Sequence, residues 1–328
     1  MAMKNVREYL EIFEKLRKSR RWSTDVNVLR FAALILATVD VDEPHRQLEK
    51  TATALRKQAG AFSPLGSPIR YAVAAMILKR ELSPQVVHTR LKEVKALFRE
   101  QRVRRGGIHE FLAALVLVLH AGGRPVPAYT VKRVKDILHR WNQDHPWLTG
   151  IGDYPMAALH ATRDHSTEQV GRRVEKIYQK LHDLKFQRGN QLQLASHLLA
   201  ISYDSPAELA GRFTAIRDAL RAEGIKTHTS QYDEMALLSL TSGDPVYIAK
   251  RVTTIQRELL SVRPRPVKTI AFSLATGLLL AEEAEQEEML IDGGDLATIR
   301  AAQAVLEAQQ AAMVAVIAAS TVATTASS

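Results

Sequence analysis

The 328-residue chain contains no cysteine. That absence excludes disulfides, thiolate metal sites and a cysteine nucleophile, and it fits a reduced, cytoplasmic setting. Aromatic residues supply only 6% of the sequence, while alanine and leucine are abundant, a balance that favours helices over sheets. No P-loop, dinucleotide glycine pattern, G-x-S-x-G elbow or H-E-x-x-H helix occurs. His109 and Glu110 with His120, and Asp164 and His165 near His160, do not follow metal-ligand spacing. No cofactor and no metal is therefore expected. The opening MAMKNVREYLEIFEKLRKSRRW is charged throughout and reads as an amphipathic helix, so no signal peptide is expected in it. Near the other end, the uncharged run AAMVAVIAASTVA is shorter than the about 20 residues that span a membrane.

What is present is apolar residue in quantity, 46% of the chain, enough for a large core. The length slightly exceeds one compact core, which leaves two domains or a repeat array. The net charge is +10, with basic clusters at Lys15, Arg17, Lys18, Arg20 and Arg21 and at Arg102, Arg104 and Arg105. Such patches permit contact with nucleic acid or an anionic surface. A solvated helical surface with a basic excess is the plainer account.

The chain repeats itself. A polar residue before an aromatic or aliphatic one recurs about every forty residues at Arg30, Arg70, Glu110, Asp153, Gln191, Gln231 and Thr269. Each opens a run rich in alanine and leucine, such as FAALILA, YAVAAMIL and LQLASHLLA. Each run is followed by a helix-start signal: Glu43-Pro44, Ser83-Pro84, Ser205-Pro206, Asp244-Pro245, and Ser166 with Glu168. A more charged helix comes next, as in PQVVHTRLKEVKALFRE. The unit is a helical hairpin with one buried inner helix and one amphipathic outer helix. Neither buries its apolar face alone, so neighbours must stack. The expected class is all-α, with tandem hairpins forming either an α-solenoid or a closed α/α toroid. Residues 1–281 would form the repeat domain, with the N-terminal helix as its cap. Residues 282–328 read as an acidic linker followed by an Ala-rich helix and tail, which could dock or join two chains as a homo-oligomer.

The segments DHPWLTGIGDYPMAAL, GNQLQLASHLLA and AQQAAMVAVIAAS resemble a bacterial family known as a domain of unknown function, number four thousand and three. FEKLRKSRRWS and AGAFSPLGSPIRYAVAAMIL fit the same pattern more loosely. At Phe62-Ser63-Pro64-Leu65-Gly66 the chain departs from the aromatic-Arg-Gly turn expected of that family. The resemblance covers nearly the whole chain. It implies an intracellular, mostly helical bacterial protein and implies no activity.

The stretch DHPWLTGIGDY raises the question of a site. Gly150 and Gly152 beside Asp153 could present backbone N–H groups to an anion or polar ligand. Alternatively Asp153 caps the next helix, Pro155 sits in its first turn, and Trp147 packs over the bend. His197 stands out more sharply. The matching positions of other hairpins are Leu36, Met76, Val116, Leu159, Leu237 and Ala275, all apolar. Asn190, Gln193 and His197 follow i, i+3, i+7 spacing, and Asp153 and His160 share a stripe on the preceding inner helix, where Tyr154 also begins the run. If the helices are neighbours, these groups converge, either as a hydrogen-bonded core network or as a ligand site. Paired carboxylates for acid–base work would have to come from separate hairpins, as with Glu110, Asp153 and Asp233. Three functions follow in order. The first is a cytosolic scaffold or binding protein for a protein, peptide or small polar ligand. The second is an α/α-toroid enzyme with a polar central pocket, and the third is a nucleic-acid binder.

Overall fold

The structure, a computed structural model, describes residues 3–19, 25–39, 41–60 and 63–287. Among the described residues there are fourteen α-helices and no strand. In chain order they are α1 (Met3–Ser19), α2 (Val26–Leu36), α3 (Pro44–Gln58), α4 (Arg70–Lys79), α5 (Pro84–Glu100), α6 (Ile108–His120) and α7 (Ala128–Asp144). They continue as α8 (Tyr154–Ala161), α9 (Thr167–Asp183), α10 (Asn190–Leu199), α11 (Pro206–Ala222), α12 (Tyr232–Ser239), α13 (Pro245–Ser261) and α14 (Lys268–Glu287). Arg20 and Arg21, Phe62 and the Ala-rich tail from residue 288 lie outside the described residues. The chain divides into two compact units, the first ending at Pro127 and the second beginning at Ala128.

In the first unit α1 packs on α2 and α3, α2 on α4, α3 on α5, and α5 on α6. In the second, α7 packs on α8 and α9, α8 on α10, α10 on α12, α12 on α14, and the outer helices α9, α11 and α13 follow one another. The physical cause is visible in burial. Short helices such as α4 bury residues on every side, including Tyr71, Val73, Ala75 and Met76. Longer helices such as α9 bury one stripe, Val170, Val174, Ile177 and Leu181. An all-round apolar helix needs partners on all faces, which the amphipathic helices supply.

The helix starts explain themselves locally. Ser166 and Ser205 form reciprocal capping boxes with Gln169 and Glu208, and Asp244 accepts from the Val246 and Tyr247 amides at 2.9 and 3.0 Å. Three expectations change. The partner of Ser166 is Gln169 rather than Glu168. Glu43 is left-handed, at φ 48°, and ion-pairs with Arg46 instead of capping. Ser83 binds the Gln85 side chain, not a backbone amide. The acidic run also differs from a linker. Helix α14 continues through it to Glu287, and Glu282 is buried against Arg251 at 3.0 Å.

The longer helices share a recurring arginine. Helices α5, α7, α9, α11 and α13 each hold an arginine five or six residues after the opening position, about forty residues apart along the chain. Four of the five reach carbonyls at or just beyond the end of the following helix, and Arg251 reaches a carboxylate within α14. Arg90 donates to Gly123 O (3.0 Å), Arg133 to His165 O, and Arg173 to Ala200 O (3.3 Å) and Ser202 O (2.5 Å). Arg212 donates to Ser239 O (2.9 Å) and Gly243 O (2.5 Å), and Arg251 binds Glu282. The last carbonyls of a helix have no intrahelical donors, so a guanidinium fork there satisfies them and complements the helix dipole. In α9 a small residue is also required. A Cβ on Gly171 would lie 2.5 Å from Arg140 Cγ, so glycine lets α7 and α9 approach.

Candidate functional site

The second unit gathers an unusual set of polar side chains in its interior. Trp141 on α7 is buried, and its ring stacks on His197 of α10, with centroids 3.7 Å apart and planes at 14°. His160 of α8 meets the same indole edge-on at 5.6 Å and 89°. His160 Nε2 lies 2.9 Å from the His197 carbonyl. A carbonyl only accepts, so Nε2 carries the proton. Gln193 Nε2 donates to Thr149 Oγ1 at 3.0 Å, and the Gly150 amide donates to Asp153 Oδ2 at 2.8 Å. Asp153 Oδ1 sits 3.6 Å from His197 Nδ1, too long for a hydrogen bond. Several buried atoms have no hydrogen-bond partner in the protein: both ring nitrogens of His197, His160 Nδ1, Gln193 Oε1 and Trp141 Nε1.

Burial sets the charges. Desolvation pushes His197 well below the ordinary histidine range, and the neighbouring His160 and His145 push it the same way. His160 is lowered to about 4, mainly by burial. Asp153 moves the other way, to about 6, because burial outweighs the Gly150 hydrogen bond. At neutral pH both imidazoles are uncharged, so the Asp153–His197 contact joins a carboxylate to a neutral ring and is not an ion pair.

One turn beyond Trp141, the chain leaves α7 and opens a pocket of about 550 Å³. Its walls include Asp144, His145, Trp147, Glu175, Tyr178 and Arg188. His145 Nε2 lies 2.6 Å from Glu175 Oε2, and its ring lies 4.4 Å from that of Tyr178. The Tyr178 hydroxyl accepts from the Gly189 amide at 3.3 Å. Gly189 has φ +139°, a conformation other residues rarely adopt. Trp147 is 96% exposed at the pocket.

The family described as Protein of unknown function (DUF4003) matches residues 12–311. The chain belongs to this family. A relative within reach of it is the uncharacterized protein YeaA of Bacillus subtilis (strain 168), 24% identical over 324 residues, covering 97% of this chain and 95% of that protein. No solved structure gives a significant match. Among the described residues of this DUF4003 chain, no helix is long and apolar enough to cross a membrane, and no group of three or more histidine and acidic side chains could hold a metal.

The structure brings Asp153, His160, Gln193 and His197 together, with Tyr154 buried at the start of α8. Asn190 does not join them: it opens α10 and is exposed. Asp153 latches its own turn through Gly150, as Gln231 does through the His228 amide (3.0 Å) and Glu110 through the Gly106 amide (3.1 Å). Three members of the recurring polar column, Glu110, Asp153 and Gln231, are thus loop latches. Trp147 does not pack over the bend; Trp141, whose carbonyl accepts from the His145 amide at 2.9 Å, fills the interior instead. Sequence reasoning missed Trp141, Thr149, Glu175, Tyr178 and Arg188. A signal existed for one pair, since Trp141 and His145 are spaced i, i+4.

Proposed function

We propose that the protein is a helical-hairpin binding protein that takes a small polar ligand in the His145–Glu175–Arg188 pocket. The observation that carries this reading is a cavity of about 550 Å³ walled by ionisable groups, with an indole held almost wholly in solvent beside it. A volume of that order suits a small ligand, and a few convergent polar groups would orient it. An exposed tryptophan offers a flat apolar face and one donor. The stacking of inner on inner and outer on outer helices within each unit supports an α-solenoid as the setting, with an α/α toroid as the alternative.

The test is a thermal-shift screen of small polar metabolites against the full chain, followed by Trp147→Ala and Arg188→Ala. A ligand that raises the melting temperature of the unmodified protein should lose most of that effect in both variants. A ligand whose effect survives both substitutions, or a screen with no stabilising compound, counts against the pocket.

An enzyme is the second reading, favoured by Asp153 and His197, whose environments displace them in opposite directions. It ranks behind because His197 is fully buried, with no surface open to a substrate. Nucleic-acid binding ranks third. Arg17 and Lys18 both pair with Glu14, which reduces the N-terminal basic patch.

A further inference from the structure

At the opposite end of α8 from Asp153, three arginines converge on one imidazole. Arg163 follows α8, Arg133 projects from α7 and Arg173 from α9; burial first, and then these three charges, push His165 towards its neutral form. Two are engaged with carbonyls: Arg133 with His165 O, and Arg173 with the ends of α10 and its loop. Arg163 is different. Its guanidinium lies over the Tyr203 ring at 5.2 Å, yet its Nε and one Nη are buried without any acceptor. Arg133 Nε and His165 Nε2 are likewise buried and unpartnered. Two acids act on the cluster from a distance, Asp164 on His165 and Asp204 on Arg173. The Asp204 carboxylate accepts from Ser202 Oγ at 2.7 Å.

A buried cationic donor without an acceptor is costly, and guanidinium forks match tetrahedral oxyanions bidentately. We propose that Arg163, with Arg133, His165 and Arg173 around it, forms an anion site for a phosphate group, either free phosphate or the phosphoryl end of a small phosphomonoester. The unpaired Arg163 Nε and Nη face the anion as a fork. Arg133 Nε and His165 Nε2 supply further donors, and the half-turn of Tyr203, 63% exposed and 5.2 Å from His165, forms the rim. This site involves none of the residues of the His145–Glu175–Arg188 pocket, so the two proposals stand or fall separately.

The test titrates inorganic phosphate, and separately phenyl phosphate, into the full chain at constant ionic strength with chloride as the control. Binding is read by calorimetry and by phosphorus NMR line broadening. Arg163→Gln should weaken phosphate binding at least tenfold, while Arg188→Gln in the other pocket leaves it unchanged. Arg163→Lys keeps the charge without the fork, so it should bind more weakly than the unmodified chain even if the Gln variant fails to fold. Tighter binding of phenyl phosphate than of phosphate supports an ester; equal binding supports free phosphate. Phosphate that behaves like chloride, or binds Arg163→Gln and Arg163→Lys as well as the unmodified chain, overturns the site.

Discussion

Helices α4 and α10 are both ten residues long and both sit inside their units, yet their interiors differ. Helix α4 buries Val73, Ala74, Ala75, Met76 and Ile77, and its one buried charge, Arg70, is spent at the helix start on the Gly66 and Ser67 carbonyls. Helix α10 buries Gln193, Ser196 and His197 among its leucines. Ser196 is satisfied by the Leu192 carbonyl, whereas His197 and part of Gln193 are not satisfied by the protein. The comparison teaches that an apolar interior is sufficient for this type of helix. The apolar column does not by itself require the imidazole in α10, whose ring stacks on Trp141 while its nitrogens find no partner in the protein.

The largest expected effect comes from removing the ring on which His197 lies. Trp141→Ala should cost about 3–5 kcal/mol in urea unfolding, as loss of a fully buried indole does. A cost under about 1 kcal/mol would mean that the polar interior of α10 is loosely packed and unlike α4.

Next is Asp153, whose sign can be worked out. Its folded value is about 6 against an ordinary 3.8, so the folded state favours the protonated acid. That contribution is present below pH 3.8 and lost as pH rises through about 6, a swing of about 3 kcal/mol. Asp153→Asn keeps an oxygen for the Gly150 amide and cannot ionise. The variant should be more stable than the unmodified chain at pH 7, with the gap closing as pH falls towards 4. His160 has the reverse dependence: lowered to about 4, it contributes stability that is present above pH 6.5 and lost as pH falls through about 4. Comparing the Asn variant with the unmodified chain at each pH cancels the histidines. A gap that is flat with pH would show that Asp153 is solvated.

Exchanging the two interiors sharpens the contrast further. Met76→His places an unpartnered imidazole in α4 and should cost about 1–3 kcal/mol. His197→Leu removes two unpartnered nitrogens and should leave stability unchanged or higher, read by the same denaturant midpoint. A loss in His197→Leu as large as in Met76→His would make His197 a structural member of the core. The smallest effect belongs to the surface. Trp147→Ala should alter stability by no more than about 0.5 kcal/mol, because 96% of the side chain is already in water. A larger loss would show that the indole supports the fold rather than a ligand.

Much of this was legible in the residues. The run YAVAAMIL and the Pro-started outer helices appear where periodicity put them, since apolar spacing and caps act over a few residues. The boundary at α2 was misplaced because Asp25, rather than Arg30, starts that helix by accepting from the Asn27 amide. His197 was visible as the exception in an apolar column. Its stacking partner was not, because Trp141 lies 56 positions earlier on an outer helix whose amphipathic pattern gives no hint of what its buried face meets.

By itself the sequence determined the helices, their alternation of inner and outer faces, and which position broke the pattern. These depend on periodicity, capping and composition, all local properties of the chain. The tertiary structure alone decided that Trp141 covers His197, that Asp153 latches its own turn, that four of the recurring arginines close the ends of the next helices, and that Arg163 is left with unpaired donors. Those outcomes depend on which side chains meet across helices dozens of residues apart, and burial, which sets the protonation of Asp153 and His160, exists only once they have met.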